Sequence, residues 1–279
     1  FMDMEYEQMG AVTDISLQNQ KSLPWLSQNH ALMALETQSA TPALKLPNRP
    51  IDQLPNRPNA LTGMDIAVYY LPMMGVSGDY YDLLPLHSGQ TGLAIGDACG
   101  KGRGAAMLMA SVSAALRAKA YSASAGELLA YINRFVHRKK LEYQFVTFVY
   151  GIWDSASYTF TYSSAGHPPV LHYQASTGRV HELGVGGLVL GLCELVKYPI
   201  ESVSLETGDA LVLYTDGITE AINASDEVFG IHRLREVVEE HGEESSEALA
   251  ATILDIASEF THQGWTDDVT LMVAKRIDE

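Results

Sequence analysis

From Met64 onward, apolar and polar positions alternate in short runs of the two-residue period expected of strands, over residues 65–71, 78–86 and 92–98. Ser88-Gly89-Gln90 reads as the turn between the last two. The period then changes to that of a helix. Residues 104–123 are rich in Ala, Met and Leu, and Ser124 is placed to cap a second helix running to 138. Strand-like runs return at 145–153, 158–163, 170–173 and 179–183, and 210–214 is a wholly apolar run that stops at Asp216-Gly217. Two further helices, 231–241 and 246–262, precede a last strand at 268–274. Strands enclosing one helical pair, then more strands and a second pair, predict an α+β domain. Its two sheets pack face to face with the helices outside.

Residues 1–60 have a different texture. The apolar spacing of residues 4–37 is patchy and Pro24 divides it into two short helical segments. Leu46-Pro47-Asn48-Arg49-Pro50 is repeated as Leu54-Pro55-Asn56-Arg57-Pro58, and the prolines exclude a continuous helix. We therefore expect a linker or regulatory segment at 1–60 and a folded domain at 61–279.

The bulk composition excludes several classes. With 47% hydrophobic and 19% charged residues, the chain is globular and has enough apolar content for a large core. A net charge of −16 disfavours nucleic acid and anionic membrane as partners. The two cysteines, Cys99 and Cys193, form no C-x-x-C pair, so a reducing, cytoplasmic setting without a disulfide framework is expected. The longest apolar stretch, 104–116, is too short to span a bilayer, and no signal segment opens the chain.

Four aspartates stand where strand-like runs break: Asp79, Asp97, Asp216 and Asp267, the last followed by Asp268. Each has a plain reading alone, since Asp-Gly pairs and paired aspartates are common in solvated turns. Together, convergent carboxylates without a Cys or His ligand pattern point to a hard divalent cation, Mg²⁺ or Mn²⁺, rather than zinc. Such cation pairs serve the attack of an activated water on phosphorus. The loop Gly96-Asp97-Ala98-Cys99-Gly100-Lys101-Gly102 fits no phosphate-cradling G-x-x-x-x-G-K-[ST] motif, because Ile95 and Gly102 stand where Gly and Ser or Thr are needed. A dinucleotide fingerprint fails too, since Glu127 falls inside a helix rather than at a second strand end. Cysteine-based phosphatase chemistry is out, because no Arg follows Cys99 at the required spacing. None of the nine histidines forms an H-E-x-x-H pair, and His167, before two prolines, reads as a hydrogen-bonded turn residue rather than a catalytic one.

Five ordered strings resemble one family: Gly78-Asp79-Tyr80-Tyr81-Asp82, Gly96-Asp97-x-x-Gly100-Lys101-Gly102, Ala165-Gly166-His167-Pro168-Pro169, Tyr214-Thr215-Asp216-Gly217-Ile218-Thr219-Glu220 and Asp267-Asp268-Val269-Thr270. They are similar to the PPM-type metal-dependent serine/threonine protein phosphatases of the bacterial SpoIIE/RsbU branch. Phe229-Gly230 and the helix that follows match as well. The resemblance covers residues 61–279 and implies an αββα four-layer sandwich, two antiparallel β-sheets flanked by helix pairs.

It also implies two Mn²⁺ or Mg²⁺ ions, with a third left open. Asp97 would bridge the two, Asp216 and Asp267 would complete one shell, and Asp79 would serve the other. The carbonyl of Ala98 would be a backbone ligand, and Asp268 a ligand or a support behind the ligands. Gly217 would serve the turn rather than the chemistry. The implied substrate is a phosphoserine protein of the STAS-type anti-sigma-antagonist class. Eukaryotic members carry a His two residues after the bridging Asp, where this chain has Cys99, and an Arg on the phosphate, for which there is no matching position; the general acid stays open. Ala105, Leu108, Met109, Val112 and Leu116 read as core positions of the first helix, which abuts the Asp97 loop. In this branch such a helix is implicated in switching activity. A homodimer through residues 1–60, and an upstream sensor or activator acting on that helix, are further expectations. The competing reading is a catalytically silent partner-binding module of the same fold; the charge disfavours a two-metal nuclease.

Overall fold

The alternating runs form ten strands among the described residues, which in this computed structural model are 63–278 apart from 74, 88, 140–142, 185 and 262–263. The linker or regulatory segment expected at 1–60 lies outside the described residues. One sheet has the order β1 (Met64–Leu71), β10 (Val269–Arg276), β9 (Ala210–Tyr214), β6 (Val170–Gln174), β7 (Arg179–Leu183). The other runs β2 (Asp79–Pro85), β3 (Gln90–Ala98), β4 (Val146–Asp154), β5 (Thr159–Ala165), β8 (Glu201–Ser204). Every ladder is antiparallel.

Period-two alternation sorts each strand between two apolar environments. Ile66 and Val68 of β1, Leu93 and Ile95 of β3, Val149 and Trp153 of β4, and Leu211 and Leu213 of β9 point into the space between the sheets. Their neighbours point outward. Ala94, Phe148 and Tyr150 meet α1 (Arg103–Lys119) and α2 (Ala125–Lys139), while Ala67, Val212 and Val273 meet α4 (Gly230–His241) and α5 (Ser246–Phe260). Strands buried on both faces explain why β9 reads as unbroken apolar sequence. The architecture is the expected α+β sandwich of two antiparallel sheets between helix pairs.

Local chemistry fixes the helix ends. Glu127 accepts from both the backbone N–H and the hydroxyl of Ser124, at 3.0 and 2.8 Å, a capping box that starts α2 where the sequence indicates. Ser245 caps α5 by accepting from Ala248 N–H at 3.3 Å. The first helix is shorter than expected: α1 ends at Lys119 and a 3₁₀ turn, Ala120–Ser122, follows. Two elements escape the sequence reading, the edge strand β8 and the four-residue helix α3 (Asp216–Thr219), which stands where Asp-Gly suggests a simple turn. β8 has one partner strand and a mostly exposed face, so it lacks an apolar signature.

Between β7 and β8 a long connection crosses α2, held there by the fully buried Asn133. Its amide donates to the carbonyls of Cys193 and Glu194 at 2.9 and 3.0 Å and accepts from Gly191 N–H at 2.8 Å. Backbone groups without a ladder are thereby satisfied by one side chain. No helix among the described residues is long and apolar enough to cross a membrane.

Candidate functional site

The five aspartates singled out in the sequence lie at one end of the sandwich, contributed by both sheets. Asp79 opens β2 and Asp97 lies near the close of β3, and the two are direct partners in the β2–β3 ladder. Asp216 lies just past β9, while Asp267 and Asp268 lie just before β10, the neighbour of β9. Antiparallel pairing gathers the carboxylates of each sheet, because the end of one strand faces the start of the next; the stacking of the two sheets brings the two groups to the same end.

Exposure grades from floor to rim. Asp79 is buried; Asp97 and Asp216 are partly exposed; Asp267 has 40% of its side chain accessible. Burial raises the Asp97 carboxyl far above the ordinary carboxylate range, and the charges of Asp79, Asp216 and Asp267 push it the same way. Asp79 is raised by burial too, moderated by hydrogen bonds from Thr270 and Thr215 and reinforced by the charges of Asp268 and Asp216. Asp216 is raised by burial, then by Glu220 and Asp267.

Asp79 is tied across the sandwich. Its Oδ2 accepts from the hydroxyls of Thr215 and Thr270, each at 2.7 Å; Thr270 lies on β10 of the opposite sheet and Thr215 directly follows β9 of that sheet. The two threonines also hold each other: Thr270 N–H donates to Thr215 Oγ1 and Thr215 N–H to the Thr270 carbonyl, both at 3.0 Å. Sequence reasoning gives these threonines no role. The available signal is their place beside the carboxylates in Tyr214-Thr215-Asp216 and Asp268-Val269-Thr270.

Asp268 is committed to the loop between β1 and β2. Its Oδ1 accepts from Met73 N–H at 2.7 Å, and its Oδ2 from Ser77 Oγ at 2.7 Å and Gly78 N–H at 3.0 Å. It therefore fixes the approach of the chain into Asp79. Ala98 is buried; a Cβ at Gly78 would come within 3.0 Å of the Ala98 carbonyl oxygen and 3.2 Å of Asp97 Oδ1, which places both oxygens on one side of that glycine. Gly217 is needed for close approach rather than for a turn, since a Cβ there would collide with the carbonyl oxygen of Asp268.

His167 spans the two sheets. Its Nδ1 lies 2.9 Å from Thr147 Oγ1 on β4 and its Nε2 lies 3.1 Å from the Tyr214 carbonyl on β9. A carbonyl only accepts, so Nε2 carries a proton, and burial keeps the ring neutral. Burial lowers its pKa to about 3. Cys99 and Cys193 are free thiols.

Lys101 reaches the rim. Its Nζ pairs with Asp267 Oδ2 at 2.9 Å and donates to the Thr266 carbonyl at 3.0 Å. Among the described residues no three His, Cys, Asp or Glu side chains are gathered closely enough to enclose an ion by themselves. The donor set still suits a hard divalent cation. It consists of carboxylate and carbonyl oxygens, and burial, with the charges of neighbouring carboxylates added, raises Asp79, Asp97 and Asp216, an environment that a bound cation would relieve.

Comparisons with known proteins identify the family and the fold. The family profile of Stage II sporulation protein E (SpoIIE) matches residues 87–277. Phosphoserine phosphatase RsbU of Bacillus subtilis is 30% identical over 214 residues, which are 76% of this chain and 63% of RsbU. The crystal structure of the RsbU and RsbW domains of a Mycobacterium tuberculosis protein superposes with a TM-score of 0.69 at 29% identity, covering 77% of this chain and 60% of that one. The PP2C phosphatase domain of SpoIIE from Bacillus subtilis, with a fragment of its regulatory domain, gives a TM-score of 0.66 over 76% of this chain and 63% of that one; at 18% identity it speaks for the fold alone. The chain thus spans less than two thirds of the length of these relatives. By motif order, sandwich topology and family profile, the chain belongs to the SpoIIE family, within the SpoIIE/RsbU branch of the PPM-type phosphatases.

Proposed function

We propose that the chain is a Mn²⁺- or Mg²⁺-dependent protein serine/threonine phosphatase that removes phosphate from phosphoserine on a small regulatory protein in bacterial signalling. The observation that carries this reading is the convergence of Asp79, Asp97, Asp216 and Asp267 from both sheets on one mouth, with the first three raised by burial and by neighbouring carboxylates. The likeness to RsbU, by name a phosphoserine phosphatase, supports it. The charge that disfavours nucleic acid leaves a protein substrate as the natural partner.

Asp97, Asp79, Asp216 and Asp267, with the Ala98 carbonyl, would hold the cation; Asp268 would stand behind this set. When bound, the cation lowers the pKa of the attacking water and offsets the charge that develops on the phosphoryl oxygens. The protein does the rest by positioning. Thr215 and Thr270 aim Asp79, Asp268 anchors the loop that leads into it, and His167 joins β4 to the end of β9, two residues before Asp216. No protein nucleophile is needed, so Cys99 needs no covalent role. We place the reaction in the cytoplasm, with a STAS-type antagonist as substrate and residues 1–60 as the segment that couples the domain to a sensor, an activator or a second copy.

The test is hydrolysis of a phosphoserine peptide and of p-nitrophenyl phosphate with Mn²⁺, Mg²⁺ or EDTA, for wild type, Asp97→Asn and Asp216→Asn. Turnover that needs the cation and disappears in both variants supports the proposal. Binding of Mn²⁺ without turnover, also in a longer chain that includes upstream residues, would make this a silent partner-binding member of the family.

A further inference from the structure

The carboxylates that suit a divalent cation repel a phosphorylated substrate, so the mouth needs positive charge aimed outward as well as inward. Lys101 meets that need. Its side chain is 54% accessible at the rim, and it is in electrostatic contact with Asp267, Asp268 and Asp216. An ammonium has three donors, and the contacts to Asp267 Oδ2 and Thr266 O occupy two of them. The flanking Gly100 and Gly102 have φ of 100° and 71°, and a Cβ on either would meet nothing within 4 Å. The lysine is thus presented on an open loop in a conformation that other residues adopt rarely. That loop joins Asp97 to the first turn of α1, where Ala105 borders the same glycine, Gly78, as Asp97 Oδ1 does.

We propose that Lys101 binds a phosphoryl oxygen of the substrate with its remaining N–H while it stays paired to Asp267. This deepens the phosphatase reading and rests on it. A lysine that merely balanced the charge of Asp267 is the competing account, and the two differ in what its removal does to phosphate binding. Removing a charge-balancing cation strengthens divalent-cation binding and leaves phosphate binding alone. Removing a phosphate ligand weakens phosphate binding, whatever happens to the cation. Arg103, exposed and two residues further on, is the nearby cation that serves as control.

Inorganic phosphate is titrated by calorimetry into the Mn²⁺-loaded chain for wild type, Lys101→Met, Lys101→Arg and Arg103→Ala, with Mn²⁺ affinity, melting temperature and phosphopeptide KM and kcat measured alongside. We expect Lys101→Met to weaken phosphate about tenfold or more and to raise KM by a similar factor, as loss of a charge-assisted hydrogen bond does. Mn²⁺ affinity should hold or tighten and the melting temperature should hold. Lys101→Arg should recover most of the affinity, and Arg103→Ala should match wild type. Unchanged phosphate affinity in Lys101→Met, or a loss in Arg103→Ala instead, overturns the assignment while the phosphatase reading stands. A wild type that binds Mn²⁺ but neither binds phosphate nor turns over substrate removes the phosphatase reading and this inference with it.

Discussion

The hydroxyl of Thr215, the residue that follows β9 of one sheet, donates to Asp79 on the other sheet at 2.7 Å, so the most buried carboxylate of the site is also a tie between the two halves of the sandwich. Thr215→Val keeps the volume and removes the donor. A hydrogen bond to a charged group contributes about 1.5–3 kcal/mol, and we expect a loss of that order in urea unfolding. Thr215→Ser should recover most of it. Because the lost donor also frees Asp79 to rise further in pKa, cation affinity at neutral pH should fall in the same variant, measured by Mn²⁺ calorimetry.

Asp97→Asn should separate function from stability. A carboxyl whose folded pKa is raised destabilises the fold wherever it is ionised, above its unfolded value. The amide removes that repulsion among Asp79, Asp216 and Asp267. At pH 8 in EDTA the variant should melt higher than wild type by about 2–4 °C, the shift that roughly 1 kcal/mol makes in a domain of this size. Turnover should be lost. A variant that melts lower in EDTA would count against an electrostatically strained cluster.

His167 predicts an acid sensitivity of the opposite sign to that of the carboxyls. Its folded pKa is lowered to about 3, against about 6.5 when unfolded. The stability it permits is whole above pH 6.5. It is lost as pH falls from there toward 3, because the unfolded chain takes up a proton that the buried ring refuses. The slope approaches about 1.4 kcal/mol per pH unit for one proton. His167→Gln can keep both hydrogen bonds and does not titrate. The difference in unfolding free energy between wild type and variant should therefore narrow as pH is lowered from 7 to 4.5.

Arg117 and Asp82 join α1 to β2. The guanidinium contacts both carboxylate oxygens, at 2.7 and 2.6 Å, and the Tyr80 hydroxyl donates to Oδ2 at 2.6 Å. Asp82 is buried, whereas Arg117 has 40% of its side chain exposed. Arg117→Ala leaves the buried carboxylate the Tyr80 hydroxyl but takes away its cation, and we expect a loss at or below the roughly 3 kcal/mol that marks the lower bound for breaking a buried pair. Adding Asp82→Asn should recover part of that loss, and a double-mutant cycle gives the coupling.

Much of the architecture is legible in the sequence because it rests on periodicity. Ile66 and Val68 alternate with Ala67 and Tyr69, and Leu211 and Leu213 with Val212 and Tyr214; these alternations divide the inner core from the helix-facing cores. Ser124 and Glu127 mark a helix start within four residues of each other, so that boundary needs no tertiary information. The edge strand β8 and the short helix α3 are illegible for the converse reason. The first is too exposed to carry an apolar pattern, and the second is four residues long, too short to show a helical period.

The positions of the carboxylates follow from sequence by itself, since each ends or begins a strand whose run can be read locally. Which of them lines the mouth and which stands behind it was decided by tertiary structure. Asp267 and Asp268 are adjacent in the chain, yet one faces Lys101 at the rim and the other holds Met73, Ser77 and Gly78 with both oxygens. Thr215, Thr270 and His167 acquire their roles only when two sheets stack, because their partners lie 136, 191 and 47 residues away. Periodicity and capping act over a few residues and are written along the chain; hydrogen bonds between sheets are set by packing, and no local pattern encodes them.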